Sequence, residues 1–332
     1  MRFTPFASVA AIALFVGVGA PMTRDPHPPL PAYPNTLGNS TSAPYAARYA
    51  ANRAQLAALA RPGAWVTAGG RAADRPGASR RGGTRVSPAL AAAFRAWVAQ
   101  RRQVLAFDPR GDGRMVEVLG DLAHARNVVV YVPGNAKRLD NFDAGTTAAP
   151  KTAPGPVARA LAARARAVRP SGHTAIIAWL GYDPPENIDL VAARSARARA
   201  GARALTRLIR VLPRGARVSL VCHSYGTVVC GRTAARVRVA NVVALASPGM
   251  DVRSAASVRA RVWAGRAADD PIRFTPHVRL AGLGHGPDPM SAPFGAHVID
   301  TTATHGHENY FTPGTRSLEA IGRIVAGTPP TR

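Results

Sequence analysis

Val218-Ser219-Leu220-Val221-Cys222-His223-Ser224-Tyr225-Gly226-Thr227-Val228-Val229-Cys230 is the stretch whose reading decides the fold. An apolar β-type run leads into Cys-His-Ser-Tyr-Gly, and a helical pattern starts at once. A strand that reverses into a helix within one residue strains the serine backbone and lifts its side chain to the top of a sheet. Strand and helix nearly touch at such a turn, so small residues are needed two before and two after the serine. Gly226 meets that demand. Cys222 stands where glycine is usual, and is small enough to be tolerated. The helix N-terminus behind Ser224 favours negative charge beside it. Ser224 is therefore the candidate nucleophile, and a purely structural turn serine is the lesser reading because ordered strands precede it.

Working outward, short apolar runs alternate with helical patterns. Val104–Phe107 and Met115–Leu119 flank the turn-rich Asp108–Gly113 and read as a hairpin. Strands are expected at Asn127–Val132, Thr174–Leu180, Arg217–Cys222, Val239–Ala246, Ala260–Ala264 and Ala296–Thr301. Helices are expected at Val157–Val168, Val191–Leu212 and Gly226–Val237, and a closing one carries Leu318, Ile321, Ile324 and Val325 on one face. Near-continuous Val/Ile/Leu strands between helices predict an α/β fold: a mostly parallel central sheet, helices on both faces, and an antiparallel front hairpin. That is the arrangement expected of an α/β-hydrolase fold. Ahead of it, Tyr45–Ala60 reads as helix and Arg61–Arg85 as irregular. Ser87-Pro88 caps a helix running to about Gln103.

The chain has 332 residues, 47% of them apolar and 18% charged, a globular composition. Its formal net charge is +25. The basic residues are nearly all arginine, spread over helical faces such as Arg194, Arg197, Arg199, Arg203, Arg207 and Arg210. Aromatic residues are 6% and do not interleave with them, which argues against specific nucleic-acid recognition. An electrostatic contact with an anionic cell envelope stays open. Arg2 precedes an uncharged run, Phe6–Ala20, and Pro-rich sequence follows, the pattern of an export signal. The organisation expected is a signal at 1–20, a Pro-rich linker at 21–44, an N-terminal helical region at 45–103 and the main domain at 104–328. The protein is then secreted or envelope-associated, or cytoplasmic if the first segment is no signal. Cys222 and Cys230, the two cysteines, read either as a bridge from strand to helix or as buried thiols. They build no metal site, and no cofactor is expected.

Serine needs a base, and the base needs a carboxylate to orient it. With a nucleophile on such an elbow the acid follows it in the chain and the histidine comes last. The strand at Ala260–Ala264 runs on into Asp269-Asp270-Pro271-Ile272, which makes Asp270 the leading acid and Asp269 the second; Asp251 is a distant third. His305 and His307 lie after the last strand, and chain order alone does not separate them. His223 sits too close to the serine to fold back as its base, and reads as lining or packing. An oxyanion hole needs two backbone N–H groups, assigned by position to Tyr225 and Asn135, the latter in the Pro133-Gly134-Asn135 turn.

Val132-Pro133-Gly134 with Leu139-Asp140-Asn141-Phe142, Trp179–Pro185, Cys222–Gly226, Ala246-Ser247-Pro248-Gly249 and His285–Pro289 occur in that order. Together they resemble a domain-of-unknown-function branch of the α/β-hydrolases common in high-GC bacteria, over roughly Val104 to Gly327. The resemblance implies a fold and a triad but no substrate. Its His-x-x-Tyr-Phe pattern falls on His307–Phe311 and moves the choice of base to His307. Pro271–Phe294 reads as part of a lid or pocket wall, or as a structural loop. The expected function is hydrolysis of an ester or related bond in a small-molecule or lipid-like acyl substrate. The alternatives are a non-catalytic or envelope-associated binding protein on the same scaffold, and a peptidase or acyltransferase with the same triad.

Overall fold

Ala-rich sequence with a Tyr/Leu stripe opens the chain as helix α1 (Ala43–Leu59), whose Tyr45, Tyr49, Leu56 and Leu59 are buried. The computed structural model describes residues 43–73 and 83–328. The expected export signal lies outside them, and so does the expected linker except for its last two residues, which already belong to α1. After α1, the stretch expected to be irregular contains a small antiparallel sheet of two-residue strands, β1 (Trp65–Val66), β2 (Ala72–Ala73) and β3 (Thr84–Arg85). Pairs this short carry no readable periodicity. Helix α2 (Pro88–Ala99) follows, with the Ser87 hydroxyl accepting from the Leu90 N–H as its cap.

The main sheet has eight strands: β4 (Gln103–Asp108), β5 (Arg114–Leu119), β6 (Asn127–Val132), β7 (Thr174–Leu180), β8 (Arg217–His223), β9 (Asn241–Leu245), β10 (Arg261–Gly265) and β11 (His297–Val298). Their order across the sheet is β11-β10-β9-β8-β6-β7-β5-β4. The pairs from β7 through β11 are parallel, while β5 runs antiparallel to β7 and β4 antiparallel to β5. This is the mostly parallel sheet with an antiparallel front hairpin. Every residue of β6 is buried, as a strand covered on both faces must be. Val128, Val130, Leu220 and Cys222 face α5 (Ala196–Val211) and α6 (Gly226–Ala234). Val129, Tyr131, Val221 and Val243 face α2, α3 (Pro154–Val168) and α7 (Arg316–Val325). Each such Val or Leu contributes about 1.5–3 kcal/mol by leaving water. At the sheet's edge, α1 lies along β4, and its Asn52 side chain donates to the Val104 carbonyl beside a register shift in the β4–β5 pair.

Two further expectations are corrected. The last strand is not Ala296–Thr301 but the two residues of β11. The helix expected over Val191–Leu212 is broken into α4 (Leu190–Ala193), capped by Asp189, and α5. Arg194 between them is extended and pairs with Leu283, and its carbonyl accepts from the Tyr225 hydroxyl. Tertiary partners there outcompete the helical ladder. In α5, Leu205 and Leu208 are buried while Arg203, Arg207 and Arg210 face solvent.

Cys222 in β8 and Cys230 in α6 are joined as a disulfide. Closing so short a loop restrains the unfolded chain by about 2–3 kcal/mol. The Cys222→Ala/Cys230→Ala chain is expected to lose that much stability in equilibrium urea unfolding. A loss near zero would mean that the bridge does not restrain the unfolded state.

Candidate active site

The parallel strands end on one edge of the sheet, and the reversal from β8 into α6 lies there. Ser224 has φ +52°, a left-handed conformation that a non-glycine residue adopts only when its surroundings enforce it. Its N–H is held by the Leu245 carbonyl of β9. Two close approaches do the enforcing. A Cβ on Gly226 would stand 2.4 Å from the Val132 carbonyl oxygen and 2.6 Å from that of Pro133. A Cβ on Gly134 would stand 2.7 Å from the Ser224 Cβ. The end of β6 therefore presses directly on the elbow. Behind it, the disulfide ties the strand entering the serine to the helix leaving it. Ser224 itself is half-buried, while His223 and Tyr225 on either side are buried.

Loops after β10 and β11 bring the remaining groups. The His307 Nε2 lies 3.1 Å from the Ser224 Oγ, and its Nδ1 lies 2.9 Å from the Asp270 Oδ1. A carboxylate only accepts, so Nδ1 carries the proton and Nε2 offers its lone pair to the serine hydroxyl. Asp270 is fully buried and caps the short helical turn Pro271–Phe274 by accepting from the Ile272 N–H at 2.9 Å. The Tyr310 hydroxyl donates to its other oxygen at 2.5 Å and accepts from the Ala267 N–H. Burial pushes the Asp270 carboxyl up, but the hydrogen bonds from His307, Tyr310 and Ile272 outweigh it and hold the group below the ordinary carboxylate value. Burial and Asp270 together raise the Tyr310 phenol, which therefore stays a donor.

His223 holds His307 from behind. Its Nε2–H donates to the His307 carbonyl at 2.7 Å, and the two rings meet edge to face at 4.8 Å. Burial, with His307 adding to it, pushes His223 well below the ordinary histidine value, so its ring is neutral. Neither Tyr310 nor His223 was assigned these roles from the sequence. The His-x-x-Tyr-Phe spacing is the one local signal that pointed toward Tyr310.

The second-choice groups lie outside this relay. Asp269 is exposed, accepts from the Gly306 N–H at 2.8 Å and sits 3.4 Å from an exposed His305. Asp251 is paired with Arg232 and Arg279. Among the described residues, the N–H groups of Asn135 and Tyr225 take no backbone acceptor. The Tyr225 hydroxyl meanwhile donates to Arg194 and accepts from the Ala198 N–H.

A second serine–histidine contact, Ser195 Oγ to His285 Nδ1 at 3.4 Å, is structural. Both residues are buried, the other ring nitrogen donates to the Ala192 carbonyl at 2.8 Å, and among the described residues no carboxylate bonds the ring. It pins the β11-side loop to α4. Among the described residues, Asp112, Asp183 and Glu186 are close enough to share a cation, but Arg197 already pairs with Asp183 and Arg138 with Glu186. A cavity of about 280 Å³ lined by Gly120, Arg169 and His173 lies at the opposite end of the sheet from Ser224.

The sequence profile of a family described as Alpha/beta hydrolase matches residues 108–280, just over half of the chain. Ser224 and Asp270 fall inside the match and His307 beyond it. Two strains of Mycobacterium tuberculosis carry an uncharacterised protein 29% identical to this chain over 268 residues. The match takes in 68% of this chain and 39% of each relative, so the chain spans about two fifths of their length. Among solved structures, esterase LipW from Mycobacterium marinum is 15% identical with a TM-score of 0.39, over 71% of this chain and 85% of its own. Carboxyl esterase 2 from the fungus Tuber melanosporum is 12% identical with a TM-score of 0.40, over 68% and 86%.

The neutral, buried His223 makes stability depend on pH. Its folded pKa lies below the unfolded value of 6.5, so its contribution is complete above 6.5 and is lost as pH falls below it. His223→Gln keeps an N–H donor for the His307 carbonyl but does not titrate. Urea unfolding across a pH series is expected to show a shallower acid-side loss for this variant than for the parent. Equal slopes would remove His223 from the account.

Proposed function

Because the chain belongs to the alpha/beta hydrolase family whose profile it matches, we propose that it is a serine hydrolase that cleaves an ester or related acyl bond through Ser224, His307 and Asp270. The observation that carries this reading is the continuous hydrogen-bonded line from the Ser224 hydroxyl through His307 to the buried Asp270 carboxylate. Ser224 Oγ attacks the acyl carbonyl carbon as its proton passes to His307 Nε2. The Asp270 carboxylate steadies the resulting imidazolium and keeps the ring in the productive tautomer. The new oxyanion sits against the Tyr225 and Asn135 N–H groups at the N-terminus of α6. His307 then protonates the leaving group, an acyl-enzyme remains on Ser224, and water activated by the same histidine releases it. The substrate is a small-molecule or lipid-like acyl compound.

The disulfide between Cys222 and Cys230 supports the export reading, since such bonds persist in oxidising compartments.

A fluorophosphonate probe is expected to label the purified chain at Ser224 and to leave Ser224→Ala unlabelled. A folded parent that never labels would sink the proposal. Asp270→Asn is expected to slow turnover of a chromogenic ester by about 10⁴-fold, because the ring loses its tautomer and its counter-charge. A loss under about tenfold would take Asp270 out of the relay.

A further inference from the structure

Large apolar side chains exposed singly are ordinary, but a group of them on joined segments marks a contact surface. Ile188 is 97% exposed, Phe274 80%, Leu280 76% and Val278 60%, with Leu190 and Val191 also exposed beside them. We propose that these six residues form an apolar rim that seats the mouth of the site on a lipid surface carrying anionic headgroups.

The two segments that bear them are fastened together. Leu280 and Leu283 close a tight hairpin, and Leu283 pairs with Arg194. The Gly284 N–H donates to the Ala193 carbonyl, and the His285 ring to that of Ala192. The backbone under the rim is thus held while its apolar side chains project outward. The rim also touches the site at several points. The Asn187 carbonyl accepts from the Asn135 side chain, and the Arg194 carbonyl from the Tyr225 hydroxyl, so both oxyanion residues are fixed to it. Phe274 closes the turn that Asp270 begins.

Charge selects the partner. Exposed Arg194, which pairs with Leu283, and exposed Arg273, stacked over Phe274, border the rim and take no carboxylate among the described residues. Of the acids nearby, Glu186 pairs with Arg138, while Asp189 keeps its charge as it accepts from the Val191 and Ala192 N–H groups, which leaves arginine in excess at the border. An apolar centre with a basic border fits an anionic lipid surface, where each arginine adds attraction. A two-fold contact between copies would set that basic border against itself. The catalytic meaning of the rim, delivery of acyl substrate from the surface to Ser224, rests on the hydrolase reading. The binding does not.

Binding is therefore tested on the Ser224→Ala chain, by sedimentation with vesicles of phosphatidylcholine alone or with an equal part of phosphatidylglycerol. The chain is expected to sediment with the phosphatidylglycerol vesicles. Ile188→Ser/Val278→Ser/Leu280→Ser is expected to lower its partition coefficient at least about tenfold with an unchanged thermal midpoint. Arg194→Gln/Arg273→Gln is expected to weaken the preference for phosphatidylglycerol. A chain that stays unbound overturns the inference. So does a serine triple variant that binds undiminished, because net charge alone would then be the cause. Light scattering that shows a dimer dissociated by the triple variant would make the rim a self-contact instead. Failure of the hydrolase reading appears separately, as absent fluorophosphonate labelling of the unmutated chain.

Discussion

The end of β6 and the start of α6 approach so closely that no side chain fits between them, and the geometry of the site follows from that contact. With hydrogen at Gly226, the helix can begin against the Val132 and Pro133 carbonyls. The chain is then forced to reverse at Ser224, whose left-handed backbone holds its hydroxyl toward the sheet's edge. The same β6 end carries Gly134 and Asn135 past the serine, so one contact sets both the nucleophile and the loop beside it. Strain of this kind costs about 1–3 kcal/mol and persists only where neighbours over-determine it. The strand hydrogen bonds of β8 on both sides and the covalent tie to α6 supply that determination.

Opposite the elbow, a buried negative charge is made tolerable by the number of its donors. Asp270 receives hydrogen bonds from an imidazole, a phenol and a backbone amide. Bonds to charged groups contribute about 1.5–3 kcal/mol each, enough to offset desolvation of a carboxylate. Because Tyr310 and His307 lie in one short segment, the loop after β11 is anchored twice by a single side chain. His223 adds a third anchor on the loop's backbone. The histidine is thus positioned by groups that never need to touch a substrate.

Much of this was legible in the chain. The β-run, the serine and Gly226 at fixed spacing announced the elbow. The alternation of strands and helices announced the parallel sheet. The order of serine, acid and histidine pointed to the three residues that the hydrogen bonds join, with His307 separated from His305 by the resemblance and not by chain order. What escaped depends on contacts between distant residues. The break at Arg194 arises from Leu283 and Tyr225, neither of them near it in sequence, while local periodicity continued through it. The anchoring by His223 spans 84 positions. The strands β1 to β3 are too short to leave a pattern, and β11 is confined to two residues by the loops around it.

The sheet's two ends carry one more consequence. A strand with an unpaired edge is a template on which another chain can add itself, and that is the route to aggregation. At one end, β11 offers only two residues of such an edge. At the other, β4 is six residues long and apolar, but α1 lies along it and Asn52 occupies the Val104 carbonyl at an irregularity in the strand. Helix α1 therefore covers part of the edge on which the front hairpin could otherwise accept another strand.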